Sequence, residues 1–125
     1  MSNAPTVLMG LVPLIRAVVR SAATGSLTTT VTPDDSGTLF VSLTTGTHGY
    51  TLPAVADAAG KCFGFYNGET TQAITVTSPA ADMLGGDTTA DVATSPGALG
   101  DCAMFISDGT YYYMIGLGTS TITAS

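Results

Sequence analysis

Chemistry in this chain would have to come from one histidine, nine carboxylates and two thiols. Acid–base, nucleophilic and metal-assisted mechanisms each need several such groups converging on one point. His48 stands beside Gly49 in a turn-like context with no sequence partner, and reads as a surface or strand-end histidine. Asp82, Asp87 and Asp91 lie in the stretch ADMLGGDTTAD and could offer oxygens to a hard cation such as Ca²⁺. Their spacing matches no calcium-loop pattern, so they read as solvated loop carboxylates. Gly60-Lys61 superficially echoes a phosphate-binding loop, but Val55 stands where the first glycine belongs and Cys62 where a hydroxyl residue should follow. No Gly-x-Ser-x-Gly elbow occurs. Asp34 and Asp35, between Pro33 and Gly37, suit a turn in which their side chains bond nearby amides. The chemistry-bearing residues therefore predict no catalytic site, no cofactor and no metal, and the chain is expected not to be an enzyme.

Two further sets invite the same question. Cys62 and Cys102 lack metal-ligand spacing and sit in apolar, strand-like runs. They are expected as buried free thiols, with a single disulfide as the alternative. Tyr111, Tyr112 and Tyr113 could stack on a sugar, but neighbouring side chains on a strand point to opposite faces. The triplet cannot form one flat shelf, and its expected use is packing in the core and at a subunit interface.

Composition limits what must hold these residues. Hydrophobic residues are 45% of the 125 and charged residues 10%, against about 25% charged in an ordinary globular domain. Such a surface must be covered by Thr, Ser and Gly, or by other subunits. One domain is the expectation at this length. Net charge is −6, with Arg16 and Arg20 as the only charges in the first 25 residues, while the remainder sets one cation, Lys61, against nine acids. That body repels polyanions and has no basic patch, so nucleic acid is not an expected partner. Residues 7–19 (VLMGLVPLIRAVV) are apolar but broken by Pro13 and Arg16. They fall short of the ~20 residues a membrane span needs, and no membrane association is expected.

From Ser26 onward, β-branched and aromatic runs alternate with Gly, Pro, Asn and Asp punctuation and show no helical period. The fold class predicted is all-β, a single compact β-sandwich or barrel-like domain over 26–125, preceded by an extended N-terminal arm over 1–25. Strands are predicted near 27–32, 38–43, 49–52, 61–66, 72–77, 101–107, 111–117 and 120–124. Leu39, Val41 and Leu43 are expected to share the buried face of their strand, and Ile74 and Val76 of theirs, with threonines turned outward. The strand over 111–117 is apolar on both faces, so it should be central or be covered by a second chain. Gly60–Thr70 and Gly100–Thr110 share G-x-C-x-x-F followed by Asn67-Gly68 or Asp108-Gly109. These are two-residue hairpin signals, which predict hairpins over 61–77 and 101–117. The Pro- and Gly-rich stretch 78–100 reads as loops flanking one or two short strands, and 54–60 as a loop or a single helical turn.

The arm differs in kind, because its apolar residues run on without alternation. Val7, Leu8, Met9, Leu11, Val12, Leu14, Ile15, Val18 and Val19, with Arg16 and Arg20, would be an aggregation liability if left in water. They must pack on the body or on a partner. Docking on another chain is the expectation, because the body already carries its own alternating pattern.

The run from Gly37 to Gly118, with T-L-F-V-S-L, Y-T-L-P, G-K-C-F-G-F-Y-N, I-T-V-T and F-I-S-D-G-T-Y-Y-Y-M-I-G, resembles β modules in tailed-bacteriophage virion proteins, namely capsid decoration (cement) proteins and tail-fibre segments. The resemblance implies a structural protein on the capsid surface of a virion assembled in the host cytoplasm. It would bind the major capsid protein or other virion subunits and stabilise the shell, as a homo-oligomer, typically a trimer. The short chain favours a decoration protein whose arm grips the shell; the alternative is a tail-fibre or head-fibre base or adhesin domain that binds a host receptor or glycan.

Overall fold

The computed structural model describes residues 15–69, 73–79, 92–95, 97–116 and 122–124. Ten strands lie among them: β1 (Ala17–Ser21), β2 (Leu27–Thr30), β3 (Thr38–Ser42), β4 (His48–Thr51), β5 (Cys62–Asn67), β6 (Ile74–Thr77), β7 (Val92–Ser95), β8 (Cys102–Ser107), β9 (Tyr112–Gly116) and β10 (Thr123–Ala124). They form two five-stranded sheets, sheet A in the order β1-β3-β5-β8-β9 and sheet B in the order β2-β4-β6-β7-β10. The chain is all-β, and no closed barrel forms, since each sheet keeps two edge strands.

The winding follows from short strands alternating with corners. From β1 to β6 each strand in sheet A is followed by one in sheet B, and successive strands within a sheet pair in parallel. The chain thus coils, adding one strand to each sheet per turn. After β6 it reverses: β7 lies antiparallel to β6, β8 to β5, β9 to β8 and β10 to β7.

Corners are built from local side-chain bonds. Asp35 Oδ2 accepts from the Thr32 amide at 2.8 Å and from the Thr32 hydroxyl at 3.2 Å, closing the turn around Pro33–Asp35. Successive coils touch at another corner, where the Gly46 amide donates to the Gly25 carbonyl at 3.0 Å. A Cβ on Gly46 would run into the Gly25–Ser26 backbone, so only glycine allows that approach.

The side chains turned inward from both sheets make one core. It holds Phe40, Phe63, Phe65, Ala103, Phe105 and Tyr112 from sheet A, and Tyr50, Ile74, Val76 and Ala93 from sheet B. Phe65 stacks on Phe40 at 5.5 Å, meets Phe105 edge-on at 5.5 Å, and lies 4.8 Å from Tyr50 across the sheets. Polar groups at strand ends are satisfied: Asn67 Nδ2 donates to Ser95 Oγ at 3.2 Å, and Ser95 Oγ donates to Asp101 Oδ2 at 2.7 Å. This chain of bonds ties β5 of sheet A to β7 of sheet B.

Several expectations need correction. The hairpin over 61–77 does not exist, because β5 and β6 belong to different sheets. Asn67-Gly68 is a corner between sheets: the Gly68 amide donates to the Ser42 carbonyl of the preceding coil, and Asn67 is buried. The hairpin over 101–117 is present as β8–β9, but its connection is the four residues 108–111. There Asp108 Oδ1 accepts from the Thr110 and Tyr111 amides, and Gly109 has φ +94°.

Strand β3 faces the opposite way from the expectation. Phe40 points inward with Thr38 and Ser42, which leaves Leu39 and Val41 on the outside. The large aromatic claims the core, and the short polar ends fit under the corners. β9 is an edge strand rather than a central one. Ala17–Ser21, assigned to the arm, is β1 of sheet A, and β7 is the short strand within 78–100. A short 3₁₀ turn, Val55–Ala58, occupies the stretch 54–60.

Candidate interaction surface

Register decides which residues face outward. In sheet A the pairs Val18↔Leu39, Leu39↔Gly64, Gly64↔Met104 and Met104↔Ile115 lie at one level across all five strands. Their neighbours two positions away, on the same face, are Arg20, Val41, Cys62, Tyr66, Cys102, Ile106 and Tyr113. This outer face is therefore apolar from edge to edge, and its charged members sit on or beside β1. In sheet B the corresponding face carries Thr28, Thr30, Gly49, Thr51, Thr75, Thr77, Val92, Thr94 and Thr123. One outer face is hydrocarbon and sulfur, the other hydroxyl.

At the middle of sheet A the outer face has a notch. Gly64 interrupts the central strand, and a Cβ there would stand 3.0 Å from Leu39 Cδ1, 3.0 Å from Met104 Sδ and 3.5 Å from Ile15 Cδ1. A glycine inside a strand marks close approach by another group, and here the Leu39 and Met104 side chains from the neighbouring strands close over it, with Ile15 in ordinary contact above. The predicted contact residues thus divide. Ile15 lies over the outer face, Arg16 donates its amide to the Gly37 carbonyl, and Val18, Val19 and Arg20 lie on β1. Val7, Leu8, Met9, Leu11, Val12 and Leu14 lie outside the described residues.

The exposed large apolar side chains concentrate at the two edges of this sheet: Val18 at 58% and Val19 at 44% on β1, Tyr113 at 40% and Ile115 at 47% on β9, with Tyr111 just before it. The tyrosine triplet splits as strand alternation requires. Tyr112 is in the core and its hydroxyl donates to the Pro53 carbonyl at 2.6 Å, while Tyr111 and Tyr113 face solvent. The Tyr113 hydroxyl donates to Asp108 Oδ2 at 2.8 Å. The Tyr111 and Thr110 amides and the Tyr113 hydroxyl hold the Asp108 carboxyl below its ordinary pKa, and the same bond raises that of Tyr113.

The thiols form no disulfide with each other and both belong to the outer face of sheet A, Cys62 buried and Cys102 half-buried. Burial, then the neighbouring Asp101 carboxylate, pushes the Cys102 thiol up and away from nucleophilic use.

His48 is not on the surface. It opens β4 on the inner face, fully buried, with its ring stacked 4.0 Å from that of Tyr50. Nδ1 lies 2.9 Å from Ser42 Oγ and Nε2 2.7 Å from Thr29 Oγ1. Thr44 Oγ1 donates to the Gly46 carbonyl at 2.7 Å, so its bond with Ser42 Oγ at 3.3 Å takes the serine's proton. That order puts the histidine proton on Nδ1, donating to Ser42, and leaves Nε2 to accept from Thr29. A serine nucleophile needs the reverse, with the imidazole accepting its proton. This buried chain is wired as structure, and burial lowers the His48 pKa. Burial also raises that of Tyr50, partly offset by the nearby Ser42 hydroxyl. The missed signal was alternation, since His48, Tyr50 and Leu52 share one parity and all three are buried.

Asp82, Asp87 and Asp91 lie outside the described residues. Among the described ones no three His, Cys, Asp or Glu side chains gather as a metal site, and no helix is long and apolar enough to cross a membrane. No protein family, curated protein or solved structure matches the chain.

Proposed function

We propose that this chain is a structural subunit of a tailed-phage particle, a capsid decoration (cement) protein that binds the major capsid lattice and acts by packing rather than catalysis. The body is a two-sheet sandwich, and the leading apolar segment serves as its arm. The observation that carries the reading is the contrast between the outer faces, apolar on sheet A and threonine-clad on sheet B. Five strands about 4.8 Å apart and five residues at about 3.3 Å make a face of roughly 400 Å². At ~25 cal/mol per Å² burying the whole face would be worth at most about 10 kcal/mol gross before ordering costs, and because Ile15 already covers part of it the share left to a partner is smaller. Many copies on one shell would compound that through avidity.

The test is co-sedimentation of the purified chain with shells that lack it. Binding is expected for the intact chain and lost in Ile106→Glu, whose charge falls on the outer face between Cys62 and Tyr113, with the circular dichroism of a folded protein retained. Removal of residues 1–14, which spares β1, should weaken binding. Full binding by both variants would remove the assignment.

A second reading rests on Tyr111 and Tyr113, which are exposed and two positions apart. They would suit a fibre base or adhesin domain holding a receptor or glycan between aromatic faces. A glycan array probed with the intact chain and with Tyr113→Ala separates the two readings, since a decoration protein gives no tyrosine-dependent signal.

A further inference from the structure

The first coil of the sandwich, residues 17–30 with β1, β2 and the corner between them, is fastened to the body through His48. We infer that it is an acid-released latch: protonation of His48 frees this coil while the remaining strands stay folded.

Little apolar burial holds the coil. No residue from 15 to 30 is buried, and the core begins at Val31. The bonds at its corner lie near solvent, among them the Gly25 amide donating to Thr45 Oγ1 at 2.8 Å and the Thr45 amide to the Ala23 carbonyl at 3.0 Å. A segment with few buried apolar contacts and exposed backbone bonds opens at a lower free energy than the whole domain.

Into the interior the coil reaches with Thr29, whose Oγ1 lies 2.7 Å from His48 Nε2. His48 carries the connection on to sheet A through Nδ1, 2.9 Å from Ser42 Oγ. With the ring proton on Nδ1, Nε2 accepts from the Thr29 hydroxyl. A second proton on the ring belongs on Nε2, where it meets the Thr29 hydroxyl proton head-on. Acid therefore acts at the bond that joins β2 to β4.

The surroundings offer the charged ring no counter-ion among the described residues. β2 presents Leu27 and Thr29, β3 presents Ser42, the following corner Thr44, β4 Tyr50, and β6 Ile74 at the level of His48. Of these only Tyr50 titrates, and burial raises its pKa, so it stays neutral. The corners 22–26 and 43–47 contain no charged residue. A buried charge without a partner is costly. The short way to water runs past β2, whose inner residues Leu27 and Thr29 are only partly covered.

Burial lowers the His48 pKa, so the closed coil is at full strength above about pH 6.5 and weakens as pH falls toward the folded value. Its release would bare the edges of β3 and β4, which are templates for an added strand.

The experiment is hydrogen exchange on the intact chain, read by mass spectrometry at pH 7.5 and pH 5.5 and corrected for the intrinsic pH dependence of exchange. With an open-state pKa of about 6.5, protection over 17–30 should fall by up to about tenfold in acid, while β5 and β8 keep theirs. His48→Gln should remove the acid step. Thr29→Val keeps the β-branched shape and deletes the hydroxyl, so it should lower protection over 17–30 already at pH 7.5 and leave β5 and β8 unchanged. Should His48→Gln fail to fold, the Thr29→Val result decides. An equal loss in every strand would overturn the inference. So would no loss over 17–30, an acid step that persists in His48→Gln, or full protection of the coil in Thr29→Val.

Discussion

The two sheets share one core and nearly the same strand count per coil, yet their outer faces obey different rules. On sheet B the outer face is mostly threonine, while the inner face carries Tyr50, Ile74, Val76 and Ala93 together with the buried, hydrogen-bonded His48 and Ser95. Threonine fits the pleat as a β-branched residue and still bonds to water. On sheet A the strands β3, β5 and β8 carry apolar residues on both faces, as strands buried on two sides do. The difference teaches that the inside of this fold needs only half of sheet A's hydrophobicity. The other half lies on the outer face, where Ile15 already covers the middle and the edges carry the exposed side chains of Val18, Tyr113 and Ile115.

That comparison can be broken at several depths, and the largest effect should come from the shared core. Phe65 is fully buried and touches rings from both sheets, so Phe65→Ala should cost about 3–5 kcal/mol. Denaturant titration followed by tyrosine fluorescence and circular dichroism should show one shifted transition, whereas two separate transitions would mean that the sheets are stabilised independently. Next comes the notch. Gly64→Val places a branched side chain against Leu39, Met104 and Ile15 and should cost about 1–3 kcal/mol, with weakened assembly as well.

A smaller effect is expected from His48. Its folded-state pKa is lowered by burial, from about 6.5 in the unfolded chain. Where the unfolded chain binds the extra proton, stability rises with pH. The contribution is whole above about pH 6.5 and is lost as pH falls toward the folded value. Thermal unfolding at pH 7.5 and at pH 5.5 should show the lower midpoint in acid, and His48→Gln should narrow the gap. The smallest effect belongs to the outer face of sheet B: Thr75→Lys should change stability by no more than about 0.5 kcal/mol and leave assembly untouched.

Much of the strand content was legible, because Val, Ile, Thr, Phe and Tyr cluster between glycines and prolines wherever a strand lies. Connectivity was less so. Asn67-Gly68 has the chemistry of a tight hairpin turn, but the choice between hairpin and corner depends on what the next strand pairs with, which is a long-range matter. The coil itself left a trace: Leu27-Thr-Thr-Thr-Val-Thr-Pro33, His48-Gly-Tyr-Thr-Leu-Pro53 and Ile74-Thr-Val-Thr-Ser-Pro79 each run through a sheet B strand to a closing proline. Leu27, His48 and Ile74 are stacked in register. Strand β1 was hidden because its residues read as one apolar run with those before it, and an edge strand with both faces exposed shows no alternation. Face assignment on β3 failed for a related reason, since Leu39-Phe40-Val41 offers apolar residues to both sides and only packing against Phe65 and Tyr50 chooses Phe40.

The central claim is that the outer face of sheet A, and not that of sheet B, is covered by other chains. Its most direct test is thiol labelling of Ile115→Cys and Thr28→Cys, two exposed positions on the opposite outer faces, each in the isolated chain and in the assembled particle. The account predicts strong protection of position 115 on assembly and unchanged labelling at position 28. Equal protection at both, or protection at position 28 alone, would contradict it.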